Sequence, residues 1–242
     1  RNVLNAEPDP EWAEYRRRVT AGLLACDAIV APSEFMAREI EREYGVGGEK
    51  IRIIHNFSAR QPVSRRDKEP FLLAAGRVWD AAKNFALLEK IAPSLEWPVK
   101  LAGKNKGESR SADPLQRLGH VTTAELLDLM ARASVFVHPA FYEPFGLSVL
   151  DAARSGCCLV LADTSSLREL WGDAAVFLDP RHPVAWVREL NSLSRDPERC
   201  QELGQRAYAH AERYSANTTA QAYTSLYGNL INRAGKGAEE AA

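Results

Sequence analysis

The chain has almost no net charge, no long apolar run and no ordered cysteine pattern, and each lack removes a class of function. Its 31 Lys and Arg stand against 32 Asp and Glu, a formal charge of −1, so no global field draws it to nucleic acid or to an anionic membrane. No apolar stretch approaches the roughly 18–20 residues that a bilayer-spanning helix needs. The four cysteines, Cys26, Cys157, Cys158 and Cys200, form no CxxC pair and have no His at zinc-site spacing. Neither a disulfide framework nor a structural metal is therefore expected. Walker, GxGxxG and GxSxG loops are missing as well, which disfavours a P-loop NTPase, a conventional dinucleotide-dependent dehydrogenase and an α/β-hydrolase. Position 1 is Arg1 rather than Met, and no signal-peptide pattern follows. The expected setting is cytoplasmic, with peripheral placement at the inner membrane face as a second option. Internal repeats and low-complexity segments are also wanting.

What is present is an ordinary globular composition, 45% hydrophobic and 26% charged, in 242 residues. That length allows one large domain or two small ones. Short apolar runs suit strands of a parallel sheet covered on both faces: Ala28–Ala31, Lys50–His55, Phe71–Ala75, Val99–Ala102, Val135–His138, Leu159–Ala162 and Ala175–Leu178. Helical signals fall between them. Thr122 with Glu125 spells a capping box, Ser166 with Glu169 repeats it, and Ser33 can cap a helix bearing Met36, Ile40 and Tyr44. Alternation of strand and helix predicts an α/β, doubly wound (Rossmann-like) parallel sheet. Arg16, Arg17 and Arg18 lie on a predicted helix and read as a solvated face, with a membrane-surface contact as the weaker reading. Asp196-Pro197 opens a terminal pair of helices. Residues 58–70, polar and holding two prolines, read as a linker, and 235–242 as a disordered tail.

In an open parallel sheet, ligands sit beyond the carboxyl ends of strands. The loop after Phe71–Ala75 carries Gly76, Arg77 and Lys83; the two cations can clamp a diphosphate or form part of a solvated turn. The loop after Val135–His138 carries Glu143, Phe145, Gly146 and Leu147 and opens a helix containing Asp151. Eight residues of helix would rise about 12 Å, more than the roughly 5–5.5 Å of a retaining glycosidase's paired carboxylates. Glu143 and Asp151 therefore read as separate ligand contacts, or as a helix-dipole acid and a surface acid. The loop Asp163–Glu169 reads as helix capping. His138 and His120 lack metal spacing and read as packed or hydrogen-bonded imidazoles.

In order along the chain, the segments AIVAPSEF, IHNF, AAGRVWDAAKN, the stretch ending VFVHPAFYEPFGLSVLDAARSG, and LRELWGDAAVFLDP resemble the retaining group 1 glycosyltransferases of the GT-B fold. The resemblance spans about Ala28 to Pro180. It implies transfer of a sugar from a nucleotide-sugar donor with retention of anomeric configuration and without a metal or other cofactor. It also implies that Arg77 and Lys83 hold the donor diphosphate and that Glu143 contacts the donor sugar near the reacting centre. Backbone N–H groups of Phe145, Gly146 and Leu147 would face sugar and phosphate, Asp151 the ribose, and Val121 the base. Departures are a six-residue step from Arg77 to Lys83, Asp in place of Glu at 151, and Ser155-Gly156-Cys157-Cys158 where Gly-x-Pro-Val is usual. The fold named by the resemblance has two Rossmann-like domains. Residues 1–57 would be the end of the first, and 71–234, with the terminal helices, the donor-binding second. The expectation is thus a truncated enzyme that binds a nucleotide sugar, and an acceptor sugar or lipid-linked glycan, once the missing N-terminal domain is supplied in cis or by a partner chain. No nucleic acid is expected as a partner. A non-catalytic nucleotide-sugar-binding or assembly subunit, and an epimerase or phosphorylase of the same fold, remain as alternatives.

Overall fold

The computed structural model describes residues 11–60, 67–104 and 113–240. In chain order the elements begin with α1 (Glu11–Ala25), β1 (Ile29–Ala31), α2 (Glu34–Tyr44) and β2 (Ile51–Ile53). Then come β3 (Glu69–Ala75), α3 (Phe85–Ile91), β4 (Val99–Ala102), β5 (Leu115–Gly119), α4 (Thr123–Arg132) and β6 (Ala133–His138). The chain continues through α5 (Leu147–Arg154), β7 (Cys158–Ala162), α6 (Ser165–Trp171), β8 (Val176–Leu178), α7 (Pro183–Arg195), α8 (Pro197–Ala211) and α9 (Ala216–Glu240). These elements form two compact units, one of Arg1–Phe57 with Arg213–Ala242, the other of Ser58–Glu212.

In the first unit β1 and β2 pair in parallel, Ile29 opposite Ile51. Ser33 caps α2 as its sequence position predicts, accepting from the Met36 N–H at 3.2 Å. On α1, Arg17 and Arg18 both reach back to Glu14 on exposed surface, which matches a solvated face. The long last helix corrects the expected domain boundary, because α9 belongs with this unit rather than with the second. Its Thr219 hydroxyl donates to the His55 carbonyl at 2.9 Å, and the Tyr214 ring meets the His55 ring edge-on. The expected tail is corrected too: α9 runs through 235–240 even with Gly235 and Gly237 in its last turns, while 241–242 lie outside the described residues.

The second unit is a six-stranded parallel sheet in the order β5-β4-β3-β6-β7-β8, the doubly wound α/β fold that the strand–helix alternation predicts. Central strands are buried along their length, with Leu73, Phe136, Leu159 and Leu161 fully inaccessible, which is why they read as continuous apolar runs. β5 has no counterpart among the predicted strands. It is an edge strand with one inaccessible residue, Leu115, and Arg117 turned out to Glu89, so its sequence carries no apolar run. The Thr122–Glu125 box forms in both directions, at 2.7 and 3.2 Å. Asp196 caps α8 through the Arg199 N–H at 3.0 Å. Cys157, Cys158 and Cys200 are buried thiols, and burial pushes the Cys157 thiol up to about 11.

Part of the expected linker also differs. Glu69 and Pro70 already belong to β3, residues 61–66 lie outside the described residues, and Lys68 donates to the carbonyls of Met130 and Ser155 at 3.1 and 2.8 Å.

Trp186 of α7 is fully buried in one apolar cluster with Leu88 and Ile91 of α3, and its indole N–H donates to the Asp179 carbonyl, just past β8, at 2.9 Å. Trp186→Ala removes both the packing and a satisfied polar group, and is expected to cost about 3–5 kcal/mol of unfolding free energy, measurable by urea denaturation.

Candidate active site

Strand order reverses between β3 and β6: β4 and β5 are laid to one side, β7 and β8 to the other. The carboxyl ends of β3 and β6, on either side of that reversal, are the position at which such sheets take ligands. Both loops that the residue pattern offers for chemistry emerge there. The first follows β3 and holds Gly76, Arg77 and Lys83; the second follows β6 and leads into α5.

Close packing fixes the two loops to each other. The Phe141 N–H donates to the Ala82 carbonyl at 2.8 Å. Asn84 adopts a left-handed conformation, φ 54° and ψ 35°, unusual for a residue with a side chain. Its amide donates to the Pro139 carbonyl at 3.0 Å and the Pro180 carbonyl at 3.2 Å. Beneath the first loop, a Cβ on Gly103 would stand 2.0 Å from the Gly76 carbonyl oxygen; only glycine fits. Gly103 follows β4 as Gly76 follows β3, and that shared place at a strand end is its mark in the sequence.

The centre of the site is the Glu143 carboxylate. Lys83 Nζ donates to Glu143 Oε2 at 2.6 Å, and His138 Nε2, on the last residue of β6, lies 3.0 Å from the same oxygen. A carboxylate only accepts, so the shared proton sits on Nε2. Ser166 of α6 donates to the Glu143 carbonyl at 2.5 Å. That corrects the expected role of Ser166 as a helix cap: α6 begins at Ser165 with Thr164 in the cap position, and the Ser166 hydroxyl holds the Glu143 backbone instead. Burial pushes the Glu143 carboxyl up, but His138 and Lys83 together outweigh it and bring the group down to about 2.

Arg77 follows a different course. Its guanidinium turns back along its own loop to Asp80, at 2.7 Å, and lies over the exposed Trp79 ring. The hydrogen bond from Arg77 holds the Asp80 carboxyl below its ordinary range. Lys83 and Glu143 are thus brought into contact, whereas Arg77, on the same loop, is engaged locally.

Gly146 precedes α5 with φ 86° and ψ 64°, a conformation that glycine adopts without strain. It turns the chain so that the first N–H groups of α5, which have no acceptor within the helix, open at the loop end. Phe145 is buried and Leu147 half-exposed at the same turn. Asp151, one turn inside α5, is buried and paired with Arg60 at 2.7 Å, so the two acids have separate partners. Val121 follows β5, two strands out from β3, and is half-buried. His138, which reads from its sequence position as a packed or hydrogen-bonded imidazole, is both, buried and bonded to the acid. Its position at a strand end, five residues before Glu143, was the available signal. Among the described residues no group of three or more His, Cys, Asp or Glu could hold a metal ion, and no helix is long and apolar enough to cross a membrane.

The depressed Glu143 carboxyl has a definite pH signature. An acid whose folded value lies below its unfolded value adds stability above the unfolded value and loses it as pH falls through the folded one. From 4.5 down to about 2 this difference is on the order of 3 kcal/mol. Glu143→Gln is therefore expected to flatten the fall in thermal midpoint between pH 4.5 and pH 2, followed by circular dichroism. A slope as steep as the parent's would count against the paired carboxylate.

Residues 56–210 match the family described as glycosyl transferases group 1, and residues 3–57 match glycosyltransferase family 4. A D-inositol 3-phosphate glycosyltransferase of Streptomyces bingchenggensis is 26% identical over 246 residues, covering 86% of this chain and 54% of that protein. In fold, the chain is similar to the sucrose-phosphate synthase of Thermosynechococcus elongatus, with a TM-score of 0.80 at 18% identity over 96% of this chain and 66% of that one. It is also similar to HepE of Anabaena, solved with UDP-glucose, with a TM-score of 0.75 at 16% identity over 91% of this chain and 70% of that one. The chain spans about half the length of the curated relatives it matches. With the family match covering the whole sheet that carries Lys83, His138 and Glu143, the chain belongs to the group 1 glycosyltransferases, proteins of the GT-B fold.

Proposed function

We propose that this chain carries the nucleotide-sugar-binding part of a retaining glycosyltransferase, which moves a sugar from a nucleoside diphosphate to an acceptor hydroxyl. The observation that carries the reading is the Lys83–Glu143 contact at the strand-order reversal. Breaking a sugar–phosphate bond leaves extra negative charge on the diphosphate and positive character at the anomeric carbon. Lys83, Arg77 and the first N–H groups of α5 offer positive charge to the phosphates, and Glu143, ionised at neutral pH, offers negative charge to the sugar. Opposite charges held side by side suit a bond that separates into opposite charges. Because the cations come from the chain itself, the scheme assigns no step to a metal or other cofactor. Phe145, Gly146 and Leu147 would contribute main-chain donors to the sugar and phosphate, and Val121 a main-chain contact to the base.

Retention follows if the acceptor attacks from the face that the diphosphate leaves. The acceptor proposed is a sugar or lipid-linked glycan. Transfer itself is assigned to this chain together with the rest of a first domain, in cis or from a partner chain. The UDP-glucose bound to Anabaena HepE makes that compound the first donor to try.

Isothermal titration of the chain with UDP-, GDP-, ADP- and TDP-sugars tests the reading, with and without EDTA. One of them is expected to bind, equally well in both conditions. Lys83→Ala is expected to weaken both that nucleotide sugar and its free nucleoside diphosphate about tenfold or more. Glu143→Gln is expected to weaken the nucleotide sugar more than the free nucleotide. Equal loss of both rejects the sugar contact, and binding of none of the four rejects the function.

A further inference from the structure

His138 closes a strand that is buried from end to end, and is itself 1% exposed. Its ring lies nearly parallel to that of Phe136, 13° apart with centroids at 6.4 Å, so packing fixes its direction. Among the described residues its Nε2 meets Glu143 Oε2, and its Nδ1 is buried with no partner. A buried nitrogen left unpaired costs stability. An apolar side chain would fill the same place without that cost, so packing alone does not account for an imidazole here.

The way the donors divide the carboxylate does account for it. Lys83 Nζ and His138 Nε2 both donate to Oε2, at 2.6 and 3.0 Å. Oε1 accepts from no group among the described residues and, unlike His138 Nδ1, is not sealed from solvent. One oxygen is held from two sides, and the other is left for a ligand. The two donors are not equivalent. Lys83 is the group that the proposed reading sends to the diphosphate, and each N–H it turns to a phosphate is lost to the acid. His138 is locked in the core and has the acid as its polar partner.

We propose that His138 is a positioning residue of the donor site, holding Glu143 by Oε2 so that Oε1 accepts from a hydroxyl of the donor sugar. This rests on the donor-site reading above, and adds the group that keeps the acid in place when Lys83 turns to the diphosphate. The sugar, not the nucleotide, meets Oε1, so the histidine acts on nucleotide sugars and leaves free nucleoside diphosphates almost untouched. It also acts on charge. Burial pushes the Glu143 carboxyl up, and His138 and then Lys83 pull it down. Among the described residues these two are the titratable groups that face it; α6 meets it through the Ser166 hydroxyl at the backbone, and β7 sets the apolar Leu161 opposite His138. Without the imidazole the carboxyl rises and takes up a proton at a less acidic pH.

Calorimetry on the full chain tests this with whichever of the UDP-, GDP-, ADP- and TDP-sugars binds, and with the matching free nucleoside diphosphate. Each is titrated from about pH 7.5 down to about pH 5. His138→Leu is expected to weaken the nucleotide sugar about tenfold and to leave the free nucleotide within about threefold. Relative to the parent, the loss is expected to grow as pH falls. His138→Gln returns an N–H donor without the locked ring, and is expected to limit the loss to about threefold, again in the sugar alone. Equal loss of sugar and free nucleotide, or a loss that does not change with pH, overturns the proposal and leaves the histidine structural. Should circular dichroism show His138→Leu unfolded, the sugar-specific loss in His138→Gln, or its absence, decides. Glu143→Gln separates the two levels. If it weakens the nucleotide sugar selectively while His138→Leu does not, the sugar contact stands and the histidine's role falls. If neither variant discriminates, or the parent binds none of the four, both fall together.

Discussion

One buried negative charge organises the candidate site. The Glu143 carboxylate cannot remain ionised at 11% side-chain exposure unless positive or donor groups meet it, and the groups that do so come from different parts of the chain. Lys83 arrives from the loop after β3, His138 from the end of β6, and Ser166, on α6, holds the Glu143 backbone. For these to converge, β3 and β6 must be neighbours, although β4 and β5 separate them in sequence. The strand order of the sheet is thus a precondition of the charge cluster, and the cluster in turn ties together the loops above the strand ends.

The two basic residues of the first loop show how position divides chemically similar groups. Both are cations beside the same strand end. Lys83 ends a short 3₁₀ turn, Ala81–Lys83, and reaches across to the second loop. Arg77 sits before that turn and folds back on Asp80 and Trp79. One cation is buried against an acid at the centre of the site, and the other stays at its rim, where solvent screens its pairing.

Much of the second unit could be read from the sequence because its strands are covered on both faces and so declare themselves as unbroken apolar runs. β5 could not, since an edge strand buries little and its LQRLG resembles a loop. Caps were legible where the contact is local, as at Thr122–Glu125. Ser166 has the same local signature, yet its hydroxyl turns to a residue 23 positions away. The apolar stripe of α9 showed that the helix is covered, but not by which unit. In the site, Lys83 and Glu143 were identifiable by type and place. That Glu143 is the hydrogen-bond partner of His138 was not, because the loop that follows an apolar strand does not declare where it folds back. Arg60 lies 91 residues from Asp151, and no local pattern joins a residue at a polar segment to an acid inside a helix.

Asn84 bears on how a ligand would be received. Its strained backbone and its two side-chain bonds join the loops after β3, β6 and β8, and the Phe141–Ala82 bond adds a second tie. The strand-end loops therefore form one tied, preorganised surface rather than three independent flaps. A molecule binding there need not freeze those loops, so the ordering entropy that commonly opposes association is met when the protein folds, before any ligand arrives.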